Sequence, residues 1–503
     1  MAAALTVARG RVFWIARTLR EVEHVSAHCR FLGIEVAVVK GRAELCPALS
    51  EPMTSEEASA YCSAVRLRCQ YYTNMLSGVE PSCPYYMQFN QTKNAKVIAA
   101  TYNMLLKAGR LVPLPPVRSE DILVVDEAHN IIATVEEHSF TKASLERALQ
   151  ELSIIKGPPA LRDFLHRLLA NMASFKPSTR AAILAESLIY HGKQLRRLLA
   201  EKGLRPRSSL HSVGKALRAA CRSPFRIEDD RFTVVEVKEL ELPRAPTVFL
   251  SGTIGRHEAE LLGAEYLDFT VFASYEAETY VTEDLTSAYE QRTPEMFKRY
   301  AELLRRIKSP AIAFAASYKV LQGIVEADKE LEQQAFIERP DMKSAEAEEL
   351  AEAWKALARR GEPALYIGVC GGRGSEGVDF NEAQAILILG APFPEPDDPA
   401  LQALYQYYAD KFASDAEVRE PERLAELHAV VLPAARKVAQ AVGRAFREPG
   451  KRALVILADQ RFKRLKRLLP KWIVRELRVV NSDQVPPRLG TQREGMMSLG
   501  VIE

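Results

Sequence analysis

In DILVVDEAHN, residues 121–130, a short apolar run ends in acidic and polar side chains, and this pattern indicates the fold class. A continuous apolar run of this length is typical of a parallel strand that is covered on both faces. Ligands of open α/β sheets bind at the carboxyl ends of the strands, so Asp126, Glu127 and His129 are candidate site residues. An Asp at this edge can hold Mg²⁺, and the adjacent Glu can polarise an attacking water. An ordinary polar loop after a strand is the competing interpretation.

Similar apolar runs lie on both sides of this stretch and alternate with helical segments. Such alternation predicts right-handed βαβ units and parallel sheets. Two segments of the first half break the alternation, one rich in cysteine and one rich in Leu with a helical period. We therefore predict an α/β fold with two parallel-sheet regions and two insertions in the first. The predicted strands are residues 11–16, 34–39, 96–100, 121–125, 231–237, 247–252, 311–316, 364–369, 385–390 and 453–458.

Two helix starts are marked by their capping residues. Thr18 is followed by Glu21 at the spacing of a capping box, which predicts a helix after the first strand. Thr293 and Pro294 suit the first positions of a helix that we predict to run to Lys308.

The composition describes an ordinary folded chain of 503 residues, with 47% hydrophobic and 26% charged residues. These values exclude wholesale disorder, collagen and coiled-coil architectures. No apolar run approaches the roughly 18 residues that cross a bilayer, so no membrane partner is expected. The net charge of +3 is too small to indicate nucleic acid without a local basic groove. Seven cysteines and no signal-peptide pattern predict a reducing, cytoplasmic location.

Four of the cysteines, Cys46, Cys62, Cys69 and Cys83, fall in one short segment with the spacing C-x15-C-x6-C-x13-C. Four thiolates suit a [4Fe–4S] cluster or a structural Zn²⁺. Zinc sites usually show tight C-x2-C pairs, so the spacing mildly favours iron–sulfur. Zinc and four unrelated buried thiols remain alternatives.

The second half contains a glycine-rich stretch, GGRGSEGVDF, directly after a predicted strand. Its glycines allow the backbone to approach a phosphate or a nucleic-acid strand closely. Glu376 and Asp379 flank Gly377 and are candidate ligand-binding residues. A glycine-rich turn between sheet elements is the alternative.

The stretch ARKVAQAVGRAFR, residues 435–447, predicts a helix with Gln440, Arg444 and Arg447 on one face. Two guanidinium groups on one face suit the charge of a γ-phosphate in a transition state. A basic run at residues 461–475 could line a groove for a phosphate backbone, but a solvated helix face is the default interpretation.

In this order, the motifs resemble the XPD family of iron–sulfur DNA helicases of superfamily 2, in its archaeal form. FWIARTLREVEHV is similar to motif Ia, VVDEAHN to motif II and VFLSGTIG to motif III. AIAFAASYKVL resembles motif IV, GGRGSEGVDF motif V and QAVGRAFR motif VI. The residues that the resemblance implies as DNA contacts are Arg17, Thr18, Tyr102, Ser251, Thr253, Ser317, Tyr318 and Arg373.

The resemblance implies two RecA-like motor domains, with an iron–sulfur domain and a helical arch domain inserted in the first. The first motor domain would comprise residues 1–44, 84–132 and 240–275. The iron–sulfur domain would be residues 45–83, the arch 133–239 and the second motor domain 276–503.

The implied activity is ATP-driven 5′-to-3′ translocation on single-stranded and forked DNA, in nucleotide excision repair. Asp126 would bind Mg²⁺ and Glu127 would activate water, with His129 and Gln440 beside them. Arg444 and Arg447 would contact the γ-phosphate of ATP. The glycine-rich stretch would bind the nucleotide through Glu376, Gly377 and Asp379, and the four clustered cysteines would hold a [4Fe–4S] cluster. We expect a monomer, with any repair-protein partners unspecified.

The family's phosphate-binding loop, GxGKT, precedes motif Ia and does not occur in the printed sequence. We therefore expect the 503-residue product to bind single-stranded DNA but to hydrolyse little ATP. An upstream extension that restores GxGKT is expected to regain hydrolysis. The alternatives are a hydrolysis-deficient DNA-binding or scaffold protein and a helicase of the DinG type.

Overall fold

The apolar runs form two separate parallel sheets in a computed structural model, which describes residues 7–106, 114–269 and 274–490. The chain divides into two compact units, and the first comprises the chain up to Ile254 together with Pro396–Tyr407. The second unit comprises Gly255–Glu395 and the chain from Tyr408 onward. Helices long and apolar enough to cross a membrane are absent from the described ranges.

The first unit contains a five-stranded parallel sheet in the order β2-β3-β1-β4-β8. Its central strands are buried along their whole length, as a continuous apolar run requires. The strands of this unit are β1 Val12–Ala16, β2 Val36–Val39, β3 Val97–Thr101, β4 Ile122–Val125, β5 Thr134–Thr141, β6 Phe225–Glu228, β7 Arg231–Lys238 and β8 Thr247–Phe249.

The helices of the first unit cover the sheet or belong to the two segments that interrupt it. The capping box predicted for Thr18 and Glu21 is present in both directions. These helices are α1 Leu19–Phe31, α2 Arg42–Leu45, α3 Ser55–Val65, α4 Gln70–Ser77, α5 Pro84–Gln91, α6 Tyr102–Leu106, α7 Lys142–Ile154, α8 Pro159–Ala170, α9 Thr179–Glu201 and α10 Ser209–Ala220.

The Leu-rich segment contains α7 to α10 and a three-stranded antiparallel sheet in the order β5-β7-β6. Thr134 pairs with Lys238, so the two ends of the segment lie side by side. The run at 231–237, predicted as a strand, therefore belongs to this small sheet. Strand β5 was not anticipated, because its side chains are mostly half-exposed or exposed and include charged residues.

Ion pairs connect helix α3 of the cysteine-rich segment to the Leu-rich segment. Glu57 is buried and accepts hydrogen bonds from Arg205, at 2.7 Å, and from Arg207, at 2.6 Å. Burial alone would raise the pKa of Glu57, but hydrogen bonds from Arg205, the Thr54 amide and Arg207 outweigh it and lower the pKa to about 2. The neighbouring Glu56 accepts a hydrogen bond of 2.7 Å from the buried Arg196.

The second unit contains a seven-stranded parallel sheet in the order β11-β12-β10-β13-β14-β9-β15. Strands β10 and β13 are completely buried at its centre. The strands are β9 Glu276–Thr282, β10 Ala311–Ala315, β11 Phe336–Ile337, β12 Leu365–Val369, β13 Ala385–Leu389, β14 Arg452–Ala458 and β15 Arg478–Val480.

Helices of the second unit connect these strands, and the predicted cap Thr293 accepts a hydrogen bond from the Met296 amide. They are α11 Arg256–Leu261, α12 Pro294–Arg306, α13 Tyr318–Ala327, α14 Lys329–Gln334, α15 Ser344–Ala358, α16 Arg373–Gly377, α17 Pro399–Ala413, α18 Pro421–Glu426, α19 Leu432–Gly443, α20 Phe462–Leu465 and α21 Lys471–Val474. The first residues of α17 group with the first unit.

Candidate active site

Asp126 lies directly after β4, at the carboxyl edge of the first sheet, as the strand pattern predicts. Its backbone amide donates to the Ile15 carbonyl at 2.8 Å, which continues the parallel ladder with β1. Its carboxylate accepts hydrogen bonds from the Glu127 amide, at 3.0 Å, and from Trp14 Nε1, at 3.4 Å. Burial raises the pKa of Asp126, and these two hydrogen bonds oppose that effect. A hard carboxylate at this edge is a suitable ligand for Mg²⁺.

Glu127 turns the chain sharply at the end of the strand. Its φ of 47° and ψ of 47° lie in the left-handed region, which costs a non-glycine residue of the order of 1 kcal/mol. The Tyr102 hydroxyl donates to the carbonyl oxygens of Asp126 and of Glu127, the latter at 3.1 Å. These contacts hold the backbone of the turn on both sides of the strained residue.

Tyr102, a predicted DNA contact, has a side chain that is only 8% exposed and a hydroxyl that is bonded to the backbone of the turn. Burial raises its pKa well above the ordinary value of a phenol. The Tyr102 hydroxyl therefore contacts the backbone of the turn that carries the acidic pair.

The structure brings Glu127, His129, Ser251 and Thr253 into one polar cluster. The Ser251 hydroxyl lies 2.9 Å from His129 Nδ1 and 3.4 Å from Glu127 Oε2. His129 Nδ1 lies 3.3 Å from the same Glu127 oxygen. The Thr253 amide donates to Ser251 Oγ at 3.2 Å. The residues predicted from motifs II and III are thus directly connected.

Arg17 and Thr18 lie after β1 at the same carboxyl edge and are both exposed. The Thr18 hydroxyl accepts a hydrogen bond from the Glu21 amide as the cap of α1. Any DNA contact by Thr18 must therefore use its remaining hydrogen-bonding capacity.

In the second unit, the predicted DNA residues lie after neighbouring strands β10 and β12. Ser317 caps α13, since its hydroxyl accepts from the Val320 amide at 3.3 Å. The Tyr318 hydroxyl donates to Glu338 Oε1 at 2.7 Å. Burial and this hydrogen bond raise the pKa of Tyr318 to about 12. Arg373 is exposed at the start of α16 and donates to the Pro340 carbonyl at 3.3 Å.

The arginines of motif VI converge on one carboxylate. Arg447 Nε lies 2.9 Å and Arg444 Nη1 3.5 Å from Asp379 Oδ1. Arg444 Nε also donates to the Ser375 carbonyl at 2.8 Å. Asp379 is therefore an ion-pair partner of both arginines.

The predicted single helix face for these arginines is wrong. Helix α19 carries Gln440 but ends at Gly443, so Arg444 is its cap and Arg447 lies beyond it. Glycine is a poor helix former, and the chain continues with turn-type hydrogen bonds to Val442 and Gly443. The backbone of Glu376 and Gly377 belongs to α16, and the surroundings of both residues lie outside the described part of the structure.

The four clustered thiols are free and neighbour one another. Burial raises the pKa of Cys46, and the thiols of Cys62, Cys83 and Cys69 raise it further. Burial also raises the pKa of Cys62, while Arg42 and a hydrogen bond with Tyr86 lower it. Arg42 lies 4.5 Å over the Tyr85 ring and donates to the Tyr86 hydroxyl at 3.3 Å.

Over residues 7–106, 114–269 and 274–490, no three or more His, Cys, Asp or Glu side chains are arranged so that they could hold a metal ion. The four thiols therefore lie near one another, but their arrangement in this structure is not that of a metal site.

Three features of the site were not predicted from the sequence: Trp14, the contact of Tyr102 with the turn, and Glu338. The signal for Glu338 was present, because a charged residue follows a short apolar stretch just as Asp126 does. The stretch Phe336–Ile337 was too short to be recognised as a strand.

Two family models match the chain. The model for a helicase C-terminal domain matches residues 300–476, and the DEAD_2 model matches residues 76–147. The second match includes the acidic pair, and the first includes the glycine-rich stretch and the arginines.

Relatives with established names support the same assignment. ATP-dependent DNA helicase XPD of Sulfolobus acidocaldarius is 25% identical over 431 residues, which cover 76% of this chain and 72% of the relative. The helicase subunit XPD/RAD3 of general transcription and DNA repair factor IIH of Saccharomyces cerevisiae is 26% identical over 208 residues. That match covers 38% of this chain and 25% of the yeast protein, so the chain spans only part of its length.

A solved structure named XPD helicase superposes with a TM-score of 0.64 at 21% identity, over 93% of this chain and 91% of the other. This likeness confirms the predicted α/β fold with two RecA-like domains. The fold and the connected acidic site define a helicase with ATPase chemistry. Within that class, the two family models and the XPD relative support an XPD-type helicase, as the motifs predict.

Proposed function

We propose that this chain is the motor of an ATP-dependent helicase that moves 5′ to 3′ on single-stranded DNA and acts on forked DNA in nucleotide excision repair. The observation that carries the proposal is the hydrogen-bonded connection from Glu127 through His129 to Ser251. It joins the residue proposed to activate water to the segment proposed to contact DNA. A shift of Ser251 on DNA binding changes the hydrogen bonding of Glu127, so hydrolysis responds to DNA.

The hydrolytic roles follow from charge and position. Asp126 would hold Mg²⁺, which neutralises charge on the phosphate oxygens when bound. Glu127 accepts the proton of an attacking water, and Tyr102 keeps the turn in place while it does so. Arg444 and Arg447 would exchange Asp379 for the γ-phosphate, a ligand of higher charge.

The cysteine-rich segment supports a [4Fe–4S] cluster by its donor chemistry. Four soft thiolates are the ligands that such clusters use, and Cys46, Cys62, Cys69 and Cys83 are free neighbours in one segment. When bound, the cluster would cross-link α2, α3 and the loops around α4, which contain few buried side chains.

The direction of movement is tested with labelled duplexes that carry a 5′ overhang, a 3′ overhang or no overhang. The 503-residue chain and the same chain extended upstream through a GxGKT loop are assayed side by side. We expect ATP-dependent strand displacement from the 5′ overhang by the extended chain, and its loss in Glu127→Gln. Displacement from the 3′ overhang alone, or equal displacement of all three duplexes, would contradict the proposal.

The cluster is tested by metal analysis of anaerobically purified protein. Iron and an absorbance band near roughly 400 nm are expected, and Cys69→Ser should lose both. The matched control is Cys29→Ser, since Cys29 is a buried thiol of α1 outside the cysteine-rich segment. A colourless protein with one equivalent of zinc would overturn the iron–sulfur assignment.

A further inference from the structure

Glu338 is a buried carboxylate between the two DNA-contacting motifs proposed for the second unit. It follows β11 at the edge of the seven-stranded sheet, and its amide donates to the Ile367 carbonyl at 2.9 Å. Only 1% of its surface is exposed. Burying a carboxylate is costly unless its oxygens are hydrogen-bonded, so its partners show what the residue supports.

Four donors surround this carboxylate. Oε1 accepts from the Tyr318 hydroxyl at 2.7 Å and from the Arg373 amide at 3.0 Å. Oε2 accepts from the Gly374 amide at 3.2 Å and from the Tyr366 hydroxyl at 3.5 Å. Two backbone amides of the glycine-rich stretch and the tyrosine of motif IV are thus held by one side chain.

The glycines of the stretch leave room for the carboxylate. A Cβ at Gly372 would lie 2.6 Å from Glu338 Oε1, and one at Gly368, in the preceding strand β12, would lie 2.8 Å from Oε2. A Cβ at Gly374 would lie 2.4 Å from the Tyr366 hydroxyl. The glycines therefore allow this backbone to approach the Glu338 carboxylate closely, which side chains at these positions would prevent.

We propose that Glu338 is a positioning residue for DNA binding, which fixes the Arg373 turn against Tyr318 so that both side chains face one DNA strand in a set geometry. This inference rests on the proposed function, in which these two residues contact single-stranded DNA. Glu338 itself is buried and does not reach DNA. Its effect passes through the backbone amide of Arg373, whose guanidinium is exposed.

The test compares Glu338→Gln with Asp284→Asn. A glutamine has one acceptor oxygen and places an NH₂ group against donors, so it cannot satisfy all four contacts. Asp284 is a matched control, because its carboxylate accepts the Ser482 amide at 2.8 Å and the Ser482 hydroxyl at 2.7 Å. It follows β9, four strands from β12, which at about 4.8 Å per strand is roughly 19 Å away.

Binding of a fluorescein-labelled oligothymidine is measured over a range of salt concentrations. Glu338→Gln is expected to raise Kd about tenfold and to reduce the slope of log Kd against log salt by about 0.7, the value for one lost phosphate contact on a single strand. Asp284→Asn should change neither quantity, even if it lowers Tm as much. In the double variant with Arg373→Ala, Glu338→Gln should add little to the loss caused by Arg373→Ala alone.

The two proposals fail in different ways. If Arg373→Ala leaves Kd and the salt slope unchanged, the proposed DNA contact is wrong and the role of Glu338 falls with it. If Arg373→Ala weakens binding while folded Glu338→Gln does not, only the role of Glu338 is overturned. Should Glu338→Gln not fold, Tyr366→Phe removes one donor and is expected to raise Kd in the same direction. An unchanged Kd in Tyr366→Phe would then refute the inference.

Discussion

Replacement of Glu57 by Gln is expected to loosen the cysteine-rich segment, because Glu57 joins α3 to Arg205 and Arg207 of the Leu-rich segment. The lowered pKa of Glu57, about 2 against an ordinary value of 4.5, sets an upper bound of about 3.4 kcal/mol on its contribution to unfolding free energy. Arg207 is 65% exposed, so solvent screening reduces this contribution. We expect about 1 to 2 kcal/mol at pH 7.

The contribution depends on pH in a defined direction. Folding lowers the pKa of Glu57, so its stabilisation is fully present above pH 4.5 and is lost as the pH falls through about 2. At pH 3.5, the difference in unfolding free energy between the wild type and Glu57→Gln should therefore be clearly smaller than at pH 7.

The assay is denaturant unfolding at pH 7 and pH 3.5, with hydrogen exchange of α3 amides as a local measure. Glu201→Gln is the matched control, because Glu201 forms an i,i+4 pair with Arg197, which is 69% exposed. Its effect should stay below about 0.5 kcal/mol. If Glu57→Gln changes stability no more than Glu201→Gln and leaves α3 exchange unchanged, the network does not stabilise the segment.

Three further substitutions test the sites. Tyr102→Phe should lower the unfolding free energy by about 1 to 2 kcal/mol and speed amide exchange in the turn after β4, since the Asp126 and Glu127 carbonyl oxygens lose the Tyr102 hydroxyl and only Glu127 keeps its Asn130 donors; unchanged exchange would contradict this. Ser251→Ala should reduce DNA stimulation of ATP hydrolysis about tenfold, measured as the ratio of stimulated to basal rate in the extended chain, because His129 loses its hydroxyl partner. Gly374→Ala should destabilise by about 1 to 3 kcal/mol in denaturant unfolding, because Tyr366 is fully buried and cannot move aside, whereas Gly443→Ala faces open space and should not destabilise.

The sequence predicted the two parallel sheets because their central strands are buried on both faces and therefore appear as unbroken apolar runs. The strands it missed include β5, whose side chains are mostly half-exposed or exposed and include charged residues, and β11, which has only two residues. The Thr18 cap was predictable because capping depends on residues three positions apart.

The acidic pair of the site was predictable from its place after a strand, but its connections were not. Ser251 lies more than a hundred residues from His129, and no local pattern reports that contact. The arginines were assigned to one helix because the pattern of helical spacing does not register a stop at Gly443. Glu338 was missed because its partners are distant in sequence: Tyr318 follows β10, Tyr366 lies in β12, and Arg373 follows β12.

The pairing of Thr134 with Lys238 closes the Leu-rich segment at its base. The chain enters this segment through β5 and leaves it through β7, and these two strands are paired with each other. Asp126 precedes β5 and Ser251 follows β7. Both residues can therefore keep their positions while the chain between the two strands is lengthened, shortened or exchanged. The helical segment is therefore a place where length and sequence can vary without disturbing the acidic site.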